Sequence, residues 1–434
     1  MNVTFCINTC KNELDHLNLL LHSMARNFVS RDHEILVFVD SDKDDKITNY
    51  LRFMHKETFP NLKIIKNVGP IPVGYATNIN HMFEMASHEI VSYIQSDMVI
   101  CPNYDVEILK HLTPNMVLSS TRIEPPLHPP GPEKHVADFG TDPSAFDLEK
   151  FNSLSEGLKK NHITNHFFAP FTLYKKCWLA IGGHDVSFRR SREDSDVVWR
   201  LLLSGVEIKQ CWNALVYHFT CTSSRGNGWW KNNTREVQVR TATQMQADQI
   251  EMMKFVRKWG TFKHPSNSDE AKHYKYSVDA VIHDCDHSDL DVLINLFPVF
   301  RKISIDKSEL LPLLKERFDA LQKPANFLFG ISDDDWSKYG KYYSQTKFED
   351  VYCTGDIPAE FIRVDFSIKS ALFNSNLSVG ITNIQSILND NVRPGETGTF
   401  DMAGAQVTVN QLKNTITDNI YIQNPKYDME LEIL

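Results

Sequence analysis

Cysteine is too sparse and too scattered to staple this chain. There are eight in 434 residues and none forms a CxxC pair, so neither a disulfide framework nor a zinc knuckle is expected. Buried reduced thiols are the expectation instead. No apolar run approaches the ~18 residues that span a bilayer. Met1 to Cys10 lacks the basic-then-apolar layout of a secretion signal, so a cytoplasmic product is expected. Positive charge is in deficit, with 46 Lys+Arg against 55 Asp+Glu and a net charge of −9, which argues against general nucleic-acid binding. Internal repeats and low-complexity tracts are absent. What is present, 42% hydrophobic and 23% charged residues, suits a globular chain of two to three domains with a real core.

The charge is uneven. Asp333 to Leu434 holds 15 acidic and 8 basic residues, a local balance of −7 that supplies most of the total. The first half is therefore close to neutral, and the cluster Arg189, Arg190 and Arg192, with Arg225 further on, stands out there. Seventeen histidines without paired spacing nominate no metal site by themselves.

The opening reads as strand, helix, strand. Val3–Ile7 is a buried strand, Asn12 offers an N-cap, and Leu14, Leu17, Leu20, Leu21 and Met24 recur at helical spacing. Glu34–Val39 is a continuous apolar strand, as a parallel strand covered on both faces should be. It runs into Asp40–Ser41–Asp42–Lys43–Asp44–Asp45. Leu62–Ile65 and Ile90–Gln95 are further strands, the latter followed by Asp97, and Ala76 to Ala86 is helical. Such alternation predicts a parallel or mixed α/β sheet, with ligands beyond the carboxyl ends of its strands. Aspartates on that rim are also ordinary loop residues.

Glu124–Pro132 is proline-rich and predicts a rigid, extended surface loop. Phe167–Tyr174 is read as a strand, Gly182–Asp185 as a turn, and Glu193–Asp196 as the lead into a buried helix closed by Gly205. Two short strands follow, Val206–Ile208 and Leu215–Phe219, with His218 in the second. Val239–Trp259 is helical and Lys263–Asp269 resembles a linker. Beyond it, strands at Val278–Ile282, Ile303–Ile305 and Phe327–Phe329 alternate with helices at Leu290–Phe300 and Leu310–Leu321. A short β-like run, Phe361–Phe366, lies in the polar last hundred residues.

Taken in order, the Asn12–Glu13 start, the acidic end of the second strand, the Gly74–Asn78 helix start, Gln95–Ser96–Asp97, Gly182–Gly183, Glu193–Asp194 and late His218 resemble a family-two glycosyltransferase of the GT-A fold. The resemblance covers about Val3 to Arg225. It implies a Rossmann-like mixed sheet flanked by helices, and a nucleotide-sugar donor, UDP-sugar by default. It also implies an inverting reaction assisted by Mn²⁺ or Mg²⁺, hard cations that take carboxylate oxygen and imidazole.

On that resemblance Asp97 and His218 are the metal ligands. Gln95 stands where the family's first DXD aspartate would be; its amide still hydrogen-bonds a ribose hydroxyl but carries no charge. Ser96, Asn78, Asp40 and Asp42 fall on the donor side, and Arg225 in the glycine-bearing Ser223–Trp230 run could meet phosphate. Asp194 matches the base that takes the acceptor's proton, supported by Glu193. Acidic residues also favour a helix N-terminus, and Asp196 has a structural explanation in Arg200 four residues on.

The expected organisation is a catalytic domain over residues 1–262, a small α/β unit over 270–330, and an acidic, β-rich region over 331–434. The acceptor, whether glycan, lipid-linked or protein, is not legible. Two other classes compete. A sugar nucleotidyltransferase wants a Gly-rich basic loop after the first strand, and Asn8–Asn12 has no glycine. A non-catalytic sugar- or nucleotide-sugar-binding protein would tolerate Gln95.

Overall fold

The structure is a computed structural model. It describes residues 1–10, 13–40, 42–69, 72–126, 130–188, 191–220, 242–265, 268–271, 275–322, 346–358, 360–369, 397–402, 405–424 and 431–434. Its first half alternates as the apolar pattern requires: β1 (Val3–Thr9), α1 (Leu14–Asn27), β2 (Glu34–Val39), α2 (Lys46–Glu57), β3 (Leu62–Asn67), α3 (Tyr75–Met85) and β4 (Ile90–Gln95). Then come β5 (Met98–Ile100), α4 (Tyr104–Lys110), β6 (Met116–Glu124), β7 (Lys134–Val136), α5 (Leu148–Leu158), β8 (Ile163–Thr164), β9 (Phe171–Tyr174), α6 (Lys175–Ala180), α7 (Glu193–Leu203) and β10 (Glu207–His218).

These strands form one mixed sheet in the order β3-β2-β1-β4-β9-β6-β10-β5, with β7 against β6 and β8 against β10. Strands β1 to β4 run parallel. Strand β9 is antiparallel to both β4 and β6, and β5 is antiparallel to β10. Alternate side chains serve opposite faces. Ile35, Val37 and Val39 of β2 pack with α1 and α2, while Leu36 and Phe38 pack with α3, α6 and α7. The expected mixed sheet flanked by helices is therefore present.

The later elements are α8 (Ala242–Trp259), α9 (Ser268–Ala271), β11 (Val278–His283), α10 (Leu290–Asn295), β12 (Ile303–Ile305), α11 (Leu311–Gln322), β13 (Tyr352–Thr354), β14 (Ile362–Ser367), β15 (Gly398–Met402), β16 (Ala405–Val409) and β17 (Leu431–Ile433). A second sheet, β13-β12-β11-β14-β16-β15, has its own apolar cluster. It takes strands from both sides of the boundary expected near residue 330, so that boundary runs through one sheet. Strand β17 returns to the first sheet and pairs antiparallel with β3.

Several expected elements change shape. The two short strands before and including His218 are one strand, β10, with a register shift between Cys211 and Leu215. The strand expected from Phe167 begins at Phe171, after Pro170, and the helix expected to reach Phe300 stops at Asn295. Glu124 does not open the proline-rich loop; it closes β6. The seven described cysteines are all unbridged. Asn12, Arg189, Arg190, Arg225, the Ser223–Trp230 run and Phe327–Phe329 lie outside the described residues. Among the described residues, no helix is long and apolar enough to cross a membrane.

Candidate active site

Strand pairing decides which side chains meet. Strand β5 lies antiparallel to β10 with Met98 opposite His218, and the Phe219 N–H donates to the Asp97 carbonyl at 3.0 Å. The Asp97 carboxylate and the His218 ring are thereby brought together, Oδ2 to Nε2 at 3.8 Å. That is too long for a hydrogen bond. It matches the spread of two ligand atoms each about 2.0–2.6 Å from one cation.

The other ring nitrogen is held. His218 Nδ1 lies 3.0 Å from Glu124 Oε1, because β6 and β10 run parallel and bring their carboxyl ends side by side. Glu124 is 3% exposed and also receives Lys134 at 2.7 Å and Arg122 at 3.3 Å. Burial opposes its charge, but the His218 hydrogen bond, the Arg122 charge and Lys134 together hold it well below the usual carboxylate range. An ionised Glu124 accepts from Nδ1–H and leaves Nε2 facing Asp97, the arrangement that orients a metal-binding imidazole. The donor set of one carboxylate and one oriented imidazole fits a divalent cation. Among the described residues no group of three or more His, Cys, Asp or Glu converges as a complete protein cage.

The Glu193–Asp194 pair opens α7 on the same side. Arg122 feels the charges of Glu124, Glu133, Asp194 and Asp97, which puts both motifs within its electrostatic reach. Tyr75 and Tyr93, with ring centroids 5.4 Å apart, link them further: Tyr93 feels Asp97, and Tyr75 feels Glu193 and Asp194. Asp194 Oδ1 accepts from the Ser195 N–H at 2.6 Å, within its own helix turn. Glu193 is half-buried with Oε2 enclosed and unpartnered. Burial first, then the Asp194 and Glu251 charges, push its carboxyl far above the usual range.

The turn before α7 needs its glycines. Gly182 and Gly183 have φ of 79° and 71°, and a Cβ would lie 2.1 Å from the Ile422 carbonyl oxygen and 2.3 Å from Asn80 Oδ1. Asn80 receives the His184 N–H, and Asn424 donates to the Gly182 and His184 carbonyls. Behind the helix, Asp196 and Arg200 form a fully buried pair at 2.8 Å, and Lys258 and Trp259 also reach Asp196. The structural explanation for Asp196 holds.

The expected donor-side residues divide. Gln95, half-buried, stays at the strand end beside Asp97. Asp40 and Asp42 do not present free carboxylates. Asp40 accepts from the N–H groups of Val73 and Gly74 and from the Asn67 amide, fixing the approach to α3. Asp42 accepts from the Ile47 and Thr48 N–H groups and the Thr48 hydroxyl, which caps α2. The Ser96 hydroxyl donates to Glu13 at 2.8 Å. Asn78 is buried inside α3, its Oδ1 unpartnered.

Sequence reasoning missed Glu124, Arg122 and His16. Arg122 lies over the Phe168 ring at 4.0 Å. His16 rests on Phe219, feels the Asp97 charge, and keeps an enclosed, unpartnered Nε2. None belongs to a local motif, and only long-range pairing assembles them.

No family model matches the chain, and no curated protein matches it. Solved structures share part of its chain path. GalNAc-T7 with UDP, GalNAc and Mn²⁺ is 11% identical, covering 50% of this chain and 44% of its own, with a TM-score of 0.39. A Pyrobaculum calidifontis mannosyltransferase with GDP-Man and Mn²⁺ is 16% identical, covering 61% and 65%, with a TM-score of 0.39. S. aureus TarS 1–349 with UDP is 15% identical, covering 80% and 94%, with a TM-score of 0.37. The match thus spans less than two thirds of the first two, and at such scores it adds no weight to any residue assignment.

Proposed function

We propose that this chain is a glycosyltransferase of the family-two, GT-A type, moving a sugar from a nucleotide-sugar donor to an acceptor hydroxyl with inversion. The observation that carries the reading is the Asp97–His218 pair at 3.8 Å, with Glu124 orienting the imidazole. Asp97 and His218 would hold a Mn²⁺ or Mg²⁺ ion, which when bound supplies neutralising charge to the donor's diphosphate. The acceptor oxygen attacks the anomeric carbon opposite the nucleotide, the bond from that carbon to the phosphate oxygen breaks, and Asp194 takes the acceptor's proton. Glu193, kept neutral, adds no competing charge. Gln95 meets a ribose hydroxyl. Asp40 and Asp42 act indirectly, by fixing the backbone around the donor. UDP-sugar is the default donor, and the cytoplasm the default compartment.

A screen for hydrolysis of nucleotide sugars, with and without Mn²⁺, tests this. The reading expects turnover of one donor that depends on Mn²⁺ and is lost in Asp97→Asn. The occupied carboxylates of Asp40 and Asp42, together with Gln95, favour the rival reading of a binding protein that retained the fold. Saturable donor binding with no hydrolysis and no transfer would decide for it.

A further inference from the structure

A cavity of about 410 Å³ lies at the seam between the two sheets. Helix α8 forms one wall, the chain before β11 another, and the segment Ser187–Phe188 ahead of α7 a third. Five basic residues line it against one acid, Asp418. The charges do not cancel. Lys258 is paired with Asp185 and Asp196 at 2.7 Å each, and Arg301 with Asp279 at 2.6 Å and Glu360 at 3.2 Å. Asp418 is paired with Lys413 at 3.2 Å.

Arg257 and Lys275 are different. The Arg257 guanidinium donates only to the carbonyls of Phe297, Phe300 and Arg301, so its charge has no carboxylate partner among the described residues. Lys275 binds Asn414 and Thr415 through its backbone, and its ammonium has no hydrogen-bond or ion-pair partner among the described residues. Burial, then the Arg257 charge, pushes Lys275 down to about 8, and burial pushes Arg257 down to about 10. Asp418 acts on Lys275, and Asp279 and Asp350 on Arg257, only through space, and two cations side by side in a cavity without a carboxylate in contact are costly unless something anionic joins them.

We propose that this cavity binds the phosphate group of a small organic phosphomonoester. Arg257 and Lys275 supply two positive charges for a dianion, as phosphate recognition requires. Ser187 and Ser277 belong to the same lining and would add hydrogen-bonding groups. The volume exceeds what inorganic phosphate fills, and Phe188, Val299 and Phe300 offer an apolar wall for the organic part. The site is separate from the Asp97–His218 pair. Among the described lining residues, Lys258 reaches α7 through Asp196, and two residues along a helix point to opposite sides, so Asp196 faces away from Asp194. An occupant would bridge α8 and the second sheet, giving the C-terminal half a ligand of its own.

Calorimetry on the full chain tests this, in EDTA and at fixed ionic strength so that no metal-held phosphate contributes. Glycerol 3-phosphate should bind saturably, more tightly than inorganic phosphate, and at least tenfold more weakly in Lys275→Gln. Asp97→Asn should bind it as the wild type does. No saturable binding, no preference for the ester, equal binding by Lys275→Gln, or loss in Asp97→Asn would each overturn the proposal. Should Lys275→Gln not fold, amine acetylation of the wild type read by mass spectrometry decides. Glycerol 3-phosphate should slow labelling of Lys275 severalfold and leave exposed Lys43 unchanged; equal labelling of Lys275 with and without it contradicts the proposal.

Discussion

Asp194 and Asp196 are two residues apart in one helix and have opposite fates. Asp196 is fully buried against Arg200, Lys258 and Trp259, while Asp194 sits at the head of α7 and, among the described residues, bonds only within its own turn. Asp194→Asn should therefore lower turnover by roughly 10²–10⁴-fold and leave donor affinity nearly unchanged. Steady-state kinetics beside donor calorimetry check this; full activity would move the base elsewhere. Asp40 and Asp42 show the other side of single-residue reading. Their type and place at a strand end were legible in the sequence, but their hydrogen bonds to Val73, Gly74, Ile47 and Thr48 were not. Asp40→Ala strands several buried donors and should cost about 2–3 kcal/mol. Asp42→Ala loses a helix cap and should cost about 1 kcal/mol. Urea unfolding of both variants tests the order, and a larger loss at Asp42 would contradict it.

At the scale of elements, apolar pattern revealed the parallel strands and the helices between them, because each is buried on a regular stripe. It did not reveal β6. Ser119, Ser120 and Thr121 interrupt its apolar run, and their hydroxyls meet distant partners: Phe168, Tyr104, Cys211 and Gln210. Missing β6 hid Glu124, whose contact with His218 crosses 94 residues of sequence. Glu34 at the head of β2 makes a similar long-range tie. It accepts from Thr4, Lys63 and Ser87, and although burial opposes its charge, these hydrogen bonds hold it down to about 2. A carboxylate lowered on folding stabilises above its unfolded value, ordinarily near 4.3. The contribution fades as pH falls from there toward 2. Glu34→Gln should cost on the order of 1–2 kcal/mol at pH 7, discounted because Lys63 is exposed. That difference should shrink progressively below pH 4.5 in a pH series of urea unfolding; a gap as large at pH 2 as at pH 7 would contradict the assignment.

At the scale of the molecule, composition suggested that residues 1–262 stand alone. The chain path returns to that part from the far end. Strand β17 pairs with β3, with the Leu434 N–H donating to Ile64 at 2.9 Å, and Ile416 and Ile420 belong to the cluster under α7. Asn424 ties down the Gly182–His184 turn that leads toward Glu193. Such contacts join the far end of the sequence to the first sheet, and no local pattern signals them. Deleting residues 431–434 should expose the β3 edge and lower the melting temperature by several degrees. Ending the chain near Thr261 should do more, leaving the turn and the cluster unsupported and the product prone to aggregate. Circular dichroism melts of both truncations check this, and a stable, monomeric product ending near Thr261 would restore the independent domain.

The central claim is that Asp97 and His218 hold one divalent cation for a nucleotide-sugar donor. Titration of Mn²⁺ followed by the electron paramagnetic resonance of the free ion, in the presence of UDP, tests it most directly. The account predicts one saturable Mn²⁺ site per chain, weakened at least tenfold in Asp97→Asn and again in His218→Gln while both variants stay folded. Unchanged Mn²⁺ binding in either folded variant would contradict it.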